Sequence, residues 1–463
     1  MPSRIALSLL VLSALPGTAH AEPKRILLVG THATHGYGDH EYLQGIRILA
    51  HCLNQTPDVE ATAWNGFPPA DALASADALH LFCDYGGDFV LRDPKHREVF
   101  LPAIARGLGF STLHFACDIS NEAKAEGLHL KFLEALGAFY DAGYSRNPMN
   151  DVTFRPANLG HPVLRGLGEL AIHDEVYFKL RFAPYTQPLW VARIKEGDGD
   201  YDRWVSWVTE RADGGRSFGF TGGHFLKNFG AEAFRRHLVN GILWTAKVEV
   251  PAAGASVAID DSWLTPPFRE SPAALLPDGA LPPLYAHRGD NAKWTKLLGD
   301  ADLSRWAKTG IAKWDLKDGV LIGSGGKGYI FTPRNDYTDF ELRAKVLLAK
   351  GGNSGIFFRA AEPAENKLKG YEAQINHSHK DPVRTGSLYK IADVTAKLVP
   401  DEGWFDLLLI ADGDRIQVLV NGALTADVRN ADFAKGHFAF QQHVEGSEVQ
   451  LKDVEVLELP RAR

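Results

Sequence analysis

Cysteine is scarce in this chain: Cys52, Cys83 and Cys117 are the three among 463 residues. An odd number cannot pair completely within one chain, so a fully disulfide-stapled scaffold is excluded. Cys83 and Cys117 each end an apolar run and read as buried free thiols. Long apolar runs are also missing. Ile5–Leu15 is too short to span a bilayer, and no later segment is long and apolar enough. Positive charge is not in excess either. The formal net charge of −7 argues against nucleic acid or an anionic membrane as partner. Neither a phosphate loop, a dinucleotide fingerprint nor a Ser-His-Asp frame occurs, so no nucleotide cofactor is expected.

What is present begins with an export signal. Arg4 gives a positive start, Ile5–Leu15 the apolar run, and Ala19-His20-Ala21 a small-x-small cleavage site. Residues 1–21 therefore read as a signal peptide, with a periplasmic or secreted destination and no membrane role beyond export. Loss of the one cation, Arg4, takes the formal charge from −7 to −8. The remaining length predicts two domains.

Residues 22–250 alternate strand-like and helix-like segments, which predicts an α/β domain on a parallel sheet. In such sheets ligands sit beyond the carboxyl ends of the strands. The loops there are rich in imidazole and carboxylate: His32, His35 and His40, then Asp84, His114, Asp174, Glu175 and His224. These residues are expected to form one site. Neutral imidazole and carboxylate suit Zn or Mn, but no His-Glu-x-x-His spacing appears. A divalent metal ion is thus one option here.

The segment His35-Gly-Tyr-Gly-Asp-His-Glu-Tyr, with Leu113-His-Phe-Ala, Asp174-Glu-x-Tyr, Gly219-Phe-Thr-Gly-Gly-His-Phe-x-Lys-Asn and Leu243-Trp-Thr-Ala, resembles the ThuA-like (trehalose utilisation) family. That resemblance implies a flavodoxin-like fold related to class I glutamine amidotransferases and a link to sugar catabolism. The region Ser111–Cys117 lacks the Gly-x-Cys-x-Gly frame of a cysteine nucleophile on a strained elbow.

Residues 251–282 hold six Pro and seven Ala and read as a semi-stiff linker without regular structure, which Trp263 and Phe268 can pin to a domain. From 283 to 463 the pattern changes to short period-two runs between Gly, Asn and Asp turns, predicting an all-β sandwich. Val420-Asn-Gly-Ala423 marks a hairpin.

Within it, residues 370–389 concentrate chemistry. Tyr371, Ala373 and Ile375 point one way and Glu372, Gln374 and Asn376 the other. A turn with His377, His379, Lys380 and Asp381 follows. Arg384-Thr-Gly-Ser387 then leads to a second short strand expected at Leu388–Tyr389. Arg359, Gln441 and His443 can share that polar face. Gly-Tyr-Glu-x-Gln-Ile followed by Arg-Thr-Gly-Ser-Leu-Tyr resembles the 3-keto-disaccharide hydrolase family, as do Gly352-Asn-Ser-Gly-Ile-Phe-Phe-Arg359, Gly403-Trp404 and Val420-Asn-Gly. Asn376 and Gly403-Trp404-Phe405-Asp406 depart from that family's usual Asp and Glu-Trp-Asn.

The resemblance implies a concanavalin-like jelly roll that cleaves 3-keto-glycosides by C2 proton abstraction, β-elimination and hydration. Such chemistry needs a base, an acid and a cation for the enolate. Glu372 and His443 fit base and acid in either order, and Arg359, Arg384 or a divalent metal fits the cation. Gln374, Asn376, Ser387, Tyr389, Trp404 and Gln441 are the expected sugar contacts. A separate sugar 3-dehydrogenase must supply the ketone. The competing readings are a sandwich that binds carbohydrate without cleaving it, and a first domain that carries the catalysis.

Overall fold

A computed structural model describes residues 22–459 other than 37, 197, 265–277, 282–283, 285–293, 299–301 and 362–367. The export signal over 1–21 and Phe268 lie outside the described residues. No described helix is long and apolar enough to cross a membrane.

The first domain is built on β1 (Lys24–Gly30), β2 (Val59–Asn65), β3 (Ala78–Phe82) and β4 (Gly109–Leu113), with helix α1 (Tyr42–Leu53) crossing from β1 to β2. These strands pair in parallel in the order β2-β1-β3-β4, and the strand Arg216–Phe220 joins β4 in parallel. β3 and β4 are buried at every residue, as expected of strands covered on both faces.

The sheet is mixed rather than wholly parallel. Gly199–Glu210, Gln187–Glu196, Met149–Pro156 and Leu170–Glu175 extend it antiparallel. The expected strand–helix alternation ends near residue 138. A short connection such as that between Gln187–Glu196 and Gly199–Glu210 permits only a hairpin, since parallel pairing needs a crossover of about a dozen residues.

The second domain is a curled antiparallel sandwich. Its strands run Tyr371–Ile375, Ser354–Ala360, His437–Gln442, Val320–Phe331, Val449–Glu458, Phe340–Leu348, Phe405–Asp412, Arg415–Val420 and Ala423–Arg429 in hydrogen-bonded order. Val320–Phe331 runs as one continuous strand through a glycine-rich stretch. The expected strand at Leu388–Tyr389 is absent; Leu388 makes only isolated bridges to Ala373 and Ala392. Asn421 and Gly422 take φ of 48° and 73° and turn the hairpin expected there.

The described part of 251–282 is not a bare spacer. Val257, Trp263 and Leu281 are buried in the first domain's core. Gln44 Nε2 donates to the Trp263 carbonyl at 2.8 Å, and the Trp263 ring lies edge-on to His51. Asp261–Leu264 forms a 3-10 turn, and Gly279–Ala280 pairs antiparallel with the edge strand β2. Proline forbids a helix or a central strand but permits edge pairing by its neighbours, so the linker expectation fails in that respect.

Candidate functional sites

The first site gathers at the strand ends. His40 comes from the loop after β1, His114 from the turn after β4, Glu175 from the end of Leu170–Glu175, and His224 from the loop after Arg216–Phe220. His40 N–H donates to the His224 carbonyl at 2.8 Å, tying two of these loops together. The four side chains converge. His40 Nε2 lies 2.9 Å from His224 Nδ1 and 3.2 Å from His114 Nε2, while Glu175 Oε2 lies 3.3 Å from both His114 Nε2 and His224 Nδ1.

The backbone is bent to achieve this. His40 and His114 have φ of 50° and 55°, a left-handed conformation that non-glycine residues adopt at a cost and that clusters at functional sites. His114 occupies the sharp turn directly after β4, the place where a nucleophile elbow would stand. Cys117 ends the 3-10 turn that follows; its thiol is fully buried, and burial, with Asp118 beside it, raises it well above its ordinary pKa. All three cysteines are free and buried.

The supporting contacts are defined. His114 Nδ1 donates to the Thr221 carbonyl at 2.8 Å. Tyr42 donates to Asp84, and His40 Nδ1 meets the same hydroxyl at 2.5 Å. Thr34 also donates to Asp84, at 2.5 Å. Asp174 is fully buried and accepts the N–H groups of Gly223 and His224 at 2.7 and 3.0 Å, so it positions His224. His35 is exposed, its ring centroid 3.7 Å from that of His40. His32 stands apart, with Nε2 3.1 Å from Asn65 Nδ2. The sequence reading missed Tyr42 and Thr34, whose hydroxyls can be recognised as ligand supports only once the loops are folded together.

The second site is a cavity of about 600 Å³ on the concave face of the sandwich. Glu372, Gln374, Tyr389, Gln441 and His443 line it, the first two as the alternation along Tyr371–Ile375 predicts. Register explains the placement: Glu372 is opposite Phe357, Gln374 opposite Gly355, and Gln441 opposite Tyr329. Gly355 makes room for the acid, since a Cβ there would stand 2.6 Å from Glu372 Oε1.

Burial pushes the half-buried Glu372 carboxyl up to about 8; Asp381 adds to the rise, and Lys327 and Lys390 oppose it. Burial lowers His443, helped by Lys327 and His379, which keeps it neutral near pH 7. Gln374 Oε1, Gln441 Oε1 and His443 Nδ1 are buried with no partner among the described residues. Both amide nitrogens are engaged, Gln374 Nε2 with the Val383 carbonyl and Gln441 Nε2 with the Tyr329 hydroxyl. These two cavity-lining residues thus keep their amide oxygens as unpartnered acceptors.

Five expected site residues do other work. Arg359 is 2% exposed; it pairs with Asp339 at 3.1 Å and donates to the carbonyls of Thr338, Gly413 and Phe433, because a bulge after Phe357 turns it off the cavity face. Arg384 donates to the carbonyls of His379 and Asp381 and braces the turn. Asn376 donates to the carbonyls of Asp381 and Val383 and accepts the His379 N–H. Ser387 donates to the Arg384 carbonyl. Trp404 stacks under Lys452 and does not line the cavity.

The cations come instead from Lys327, Lys369 and Lys390, joined by Tyr329, Asn353, His379 and Asp381. The alternation Lys327-Gly-Tyr329 on one strand face was the available signal for two of these.

The structure defines a two-domain protein, an α/β domain followed by an antiparallel sandwich. Residues 25–245 match the family described as trehalose utilisation (ThuA), and residues 293–457 match the 3-keto-alpha-glucoside-1,2-lyase-like domain. The chain carries these two domains in that order.

Among solved structures, a candidate glycosyl hydrolase from Parabacteroides distasonis is 22% identical, the match covering 36% of this chain and 95% of that one at a TM-score of 0.33. A candidate ThuA-like protein from Bacteroides uniformis is 16% identical over 50% of this chain and 95% of that one, with a TM-score of 0.39. The carbohydrate-binding module CBM66 from Bacillus subtilis is 20% identical over 32% and 92%, with a TM-score of 0.27. No curated protein matches the chain.

Proposed function

We propose that the sandwich cleaves 3-keto-glycosides by β-elimination followed by hydration. The observation that carries this reading is Glu372: a carboxyl lining the cavity, raised by burial to about 8, with lysines and unpartnered amide oxygens among the other lining residues. A ketone at C3 acidifies the C2 proton, and a carboxylate with a raised pKa is the stronger base for it. Lys327, which acts on Glu372 electrostatically, offers the positive charge for the enolate oxygen.

Glu372, protonated by C2, passes that proton to the departing C1 oxygen, to which neutral His443 donates a hydrogen bond, and the C1–O bond breaks as the C1–C2 double bond forms. Water then adds at C1, giving a proton to Glu372, which returns it to C2. Gln374 and Gln441 accept sugar hydroxyls through their free oxygens.

The ketone must be made by a separate sugar dehydrogenase, since the reaction itself neither oxidises nor reduces. The segment 1–21 directs the chain out of the cytoplasm in this reading.

The test is direct. The full chain is incubated with a 3-keto-disaccharide and the released sugars are quantified beside Glu372→Gln. The variant is expected to fold, to retain sugar and to lose about 10²–10⁴ in rate, the usual scale of general-base loss. A wild type that retains the sugar intact would assign the sandwich to carbohydrate binding instead.

A further inference from the structure

We propose that His40, His114, His224 and Glu175 hold one divalent transition ion of the zinc type in the first domain. The inference is independent of the sandwich cavity and of its reaction. It rests on which atoms carry protons. His114 Nδ1 faces a carbonyl oxygen, which can only accept, so in the neutral ring the proton is on Nδ1 and Nε2 presents a lone pair. Tyr42 spends its one proton on Asp84, so His40 Nδ1 must donate to the tyrosine oxygen, and His40 Nε2 presents a lone pair as well.

These two bare nitrogens face each other at 3.2 Å. Glu175 Oε2, an acceptor, stands 3.3 Å from one of them. One proton on His224 Nδ1 can serve His40 and Glu175, but it leaves His114 Nε2 against acceptors alone. A single cation at the centre satisfies all four atoms.

The spacing agrees. Tetrahedral zinc with bonds of about 2.0–2.1 Å to nitrogen and oxygen separates adjacent ligand atoms by about 3.3–3.4 Å. The four contacts are 2.9, 3.2, 3.3 and 3.3 Å, and all four atoms lie within 4.8 Å of one another.

The surroundings are those of a metal centre. Each of His40 and His114 has its second nitrogen fixed by a partner, the arrangement that orients metal-bound imidazoles. Asp174 holds the backbone of the His224 loop through two N–H groups. The strained φ of His40 and His114 is what aims both rings inward. On the outer side stand exposed His35 and half-buried Asp84, so the ion can accept a further oxygen ligand from solvent or from a small polyhydroxy substrate and act on it as a Lewis acid.

The test reads binding rather than turnover. The full chain is stripped with a chelator, dialysed, and titrated with Zn²⁺ by calorimetry, with metal content measured after gel filtration. One ion per chain is expected. Glu175→Gln, nearly isosteric, and His224→Ala are each expected to weaken binding at least tenfold. His173→Ala, outside the cluster and paired with Asp151, is expected to bind as the wild type does.

Co²⁺ in place of Zn²⁺ should give the intense visible absorption of a four-coordinate site in the wild type and lose it in Glu175→Gln. If His224→Ala fails to fold, Glu175→Gln carries the comparison. Less than a tenth of an ion per chain in the stripped and reloaded wild type, or equal affinity in Glu175→Gln, would overturn the assignment.

Discussion

Glu372 makes pH a readout of the sandwich. With its carboxyl at about 8, only about a tenth is ionised at pH 7. Cleavage that depends on this base is expected to rise about tenfold per pH unit below 8 and then level off in kcat/KM. A profile flat from pH 6 to 9 would remove Glu372 as the base. The same shift acts on stability with a defined sign. The folded value lies above the ordinary 4.5, so this group's contribution is fully present below about 4.5 and is lost as pH rises through about 8. Unfolding by urea at pH 5, 7 and 9 should show that loss in the wild type and not in Glu372→Gln. Gly355 gives a second handle. A methyl there would press on Glu372 Oε1, the movable end of the acid, so Gly355→Ala should fold and yet displace the carboxylate. A displacement near 1 Å can cost about 10² in rate. Wild-type kcat/KM in Gly355→Ala would show that the position of the acid is not critical.

At the scale of elements, what the sequence made legible follows periodicity. Alternation along Tyr371–Ile375 placed Glu372 and Gln374 correctly, and the strand-end rule brought His40, His114 and His224 together. What it could not show depends on departures from regular geometry. A bulge between Phe357 and Ala360 breaks the alternation, and Arg359, at φ 46°, leaves the face that counting assigns it. Asn376 and Arg384 were read as ligands because they are polar, yet a tight turn has backbone carbonyls of its own to satisfy, and both side chains serve those. The antiparallel half of the first sheet was hidden because pairing partners distant in sequence leave no local mark. Arg359 tests the distinction. Arg359→Ala removes the cationic partner of Asp339 and the donor to three carbonyls, and breaking a buried pair costs about 3–5 kcal/mol. Its denaturation midpoint should fall accordingly, with the remaining folded fraction still turning over. Unchanged stability with lost turnover would return Arg359 to the catalytic group.

For the whole molecule, the segment joining the domains decides what can be separated. Val257, Trp263, Leu281 and Leu284 are buried in the core that also contains α1 and β2, whereas the sandwich has its own core around Trp314, Phe340 and Phe440. Composition alone placed the end of the first domain near 250, because proline and alanine look like spacer. Burial extends its stabilising contacts to residue 284. Trp263 is 2% exposed, anchored at its carbonyl by Gln44 and at its ring by His51, and a Cβ on Gly422 of the sandwich would stand 2.6 Å from it. Deleting a buried Trp side chain costs about 3–5 kcal/mol. A fragment 22–284 is therefore expected to unfold at a higher urea concentration than a fragment 22–250, and Trp263→Ala in 22–284 should recover most of that difference in the destabilising direction. In the full chain the same substitution should lower the transition of the first domain and leave that of the sandwich within about 0.5 kcal/mol, since truncating a ring at a glycine contact removes little from the second core. Equal midpoints for the two fragments would mean that the segment only connects. A joint shift of both transitions would mean that Trp263 couples the domains into one cooperative unit.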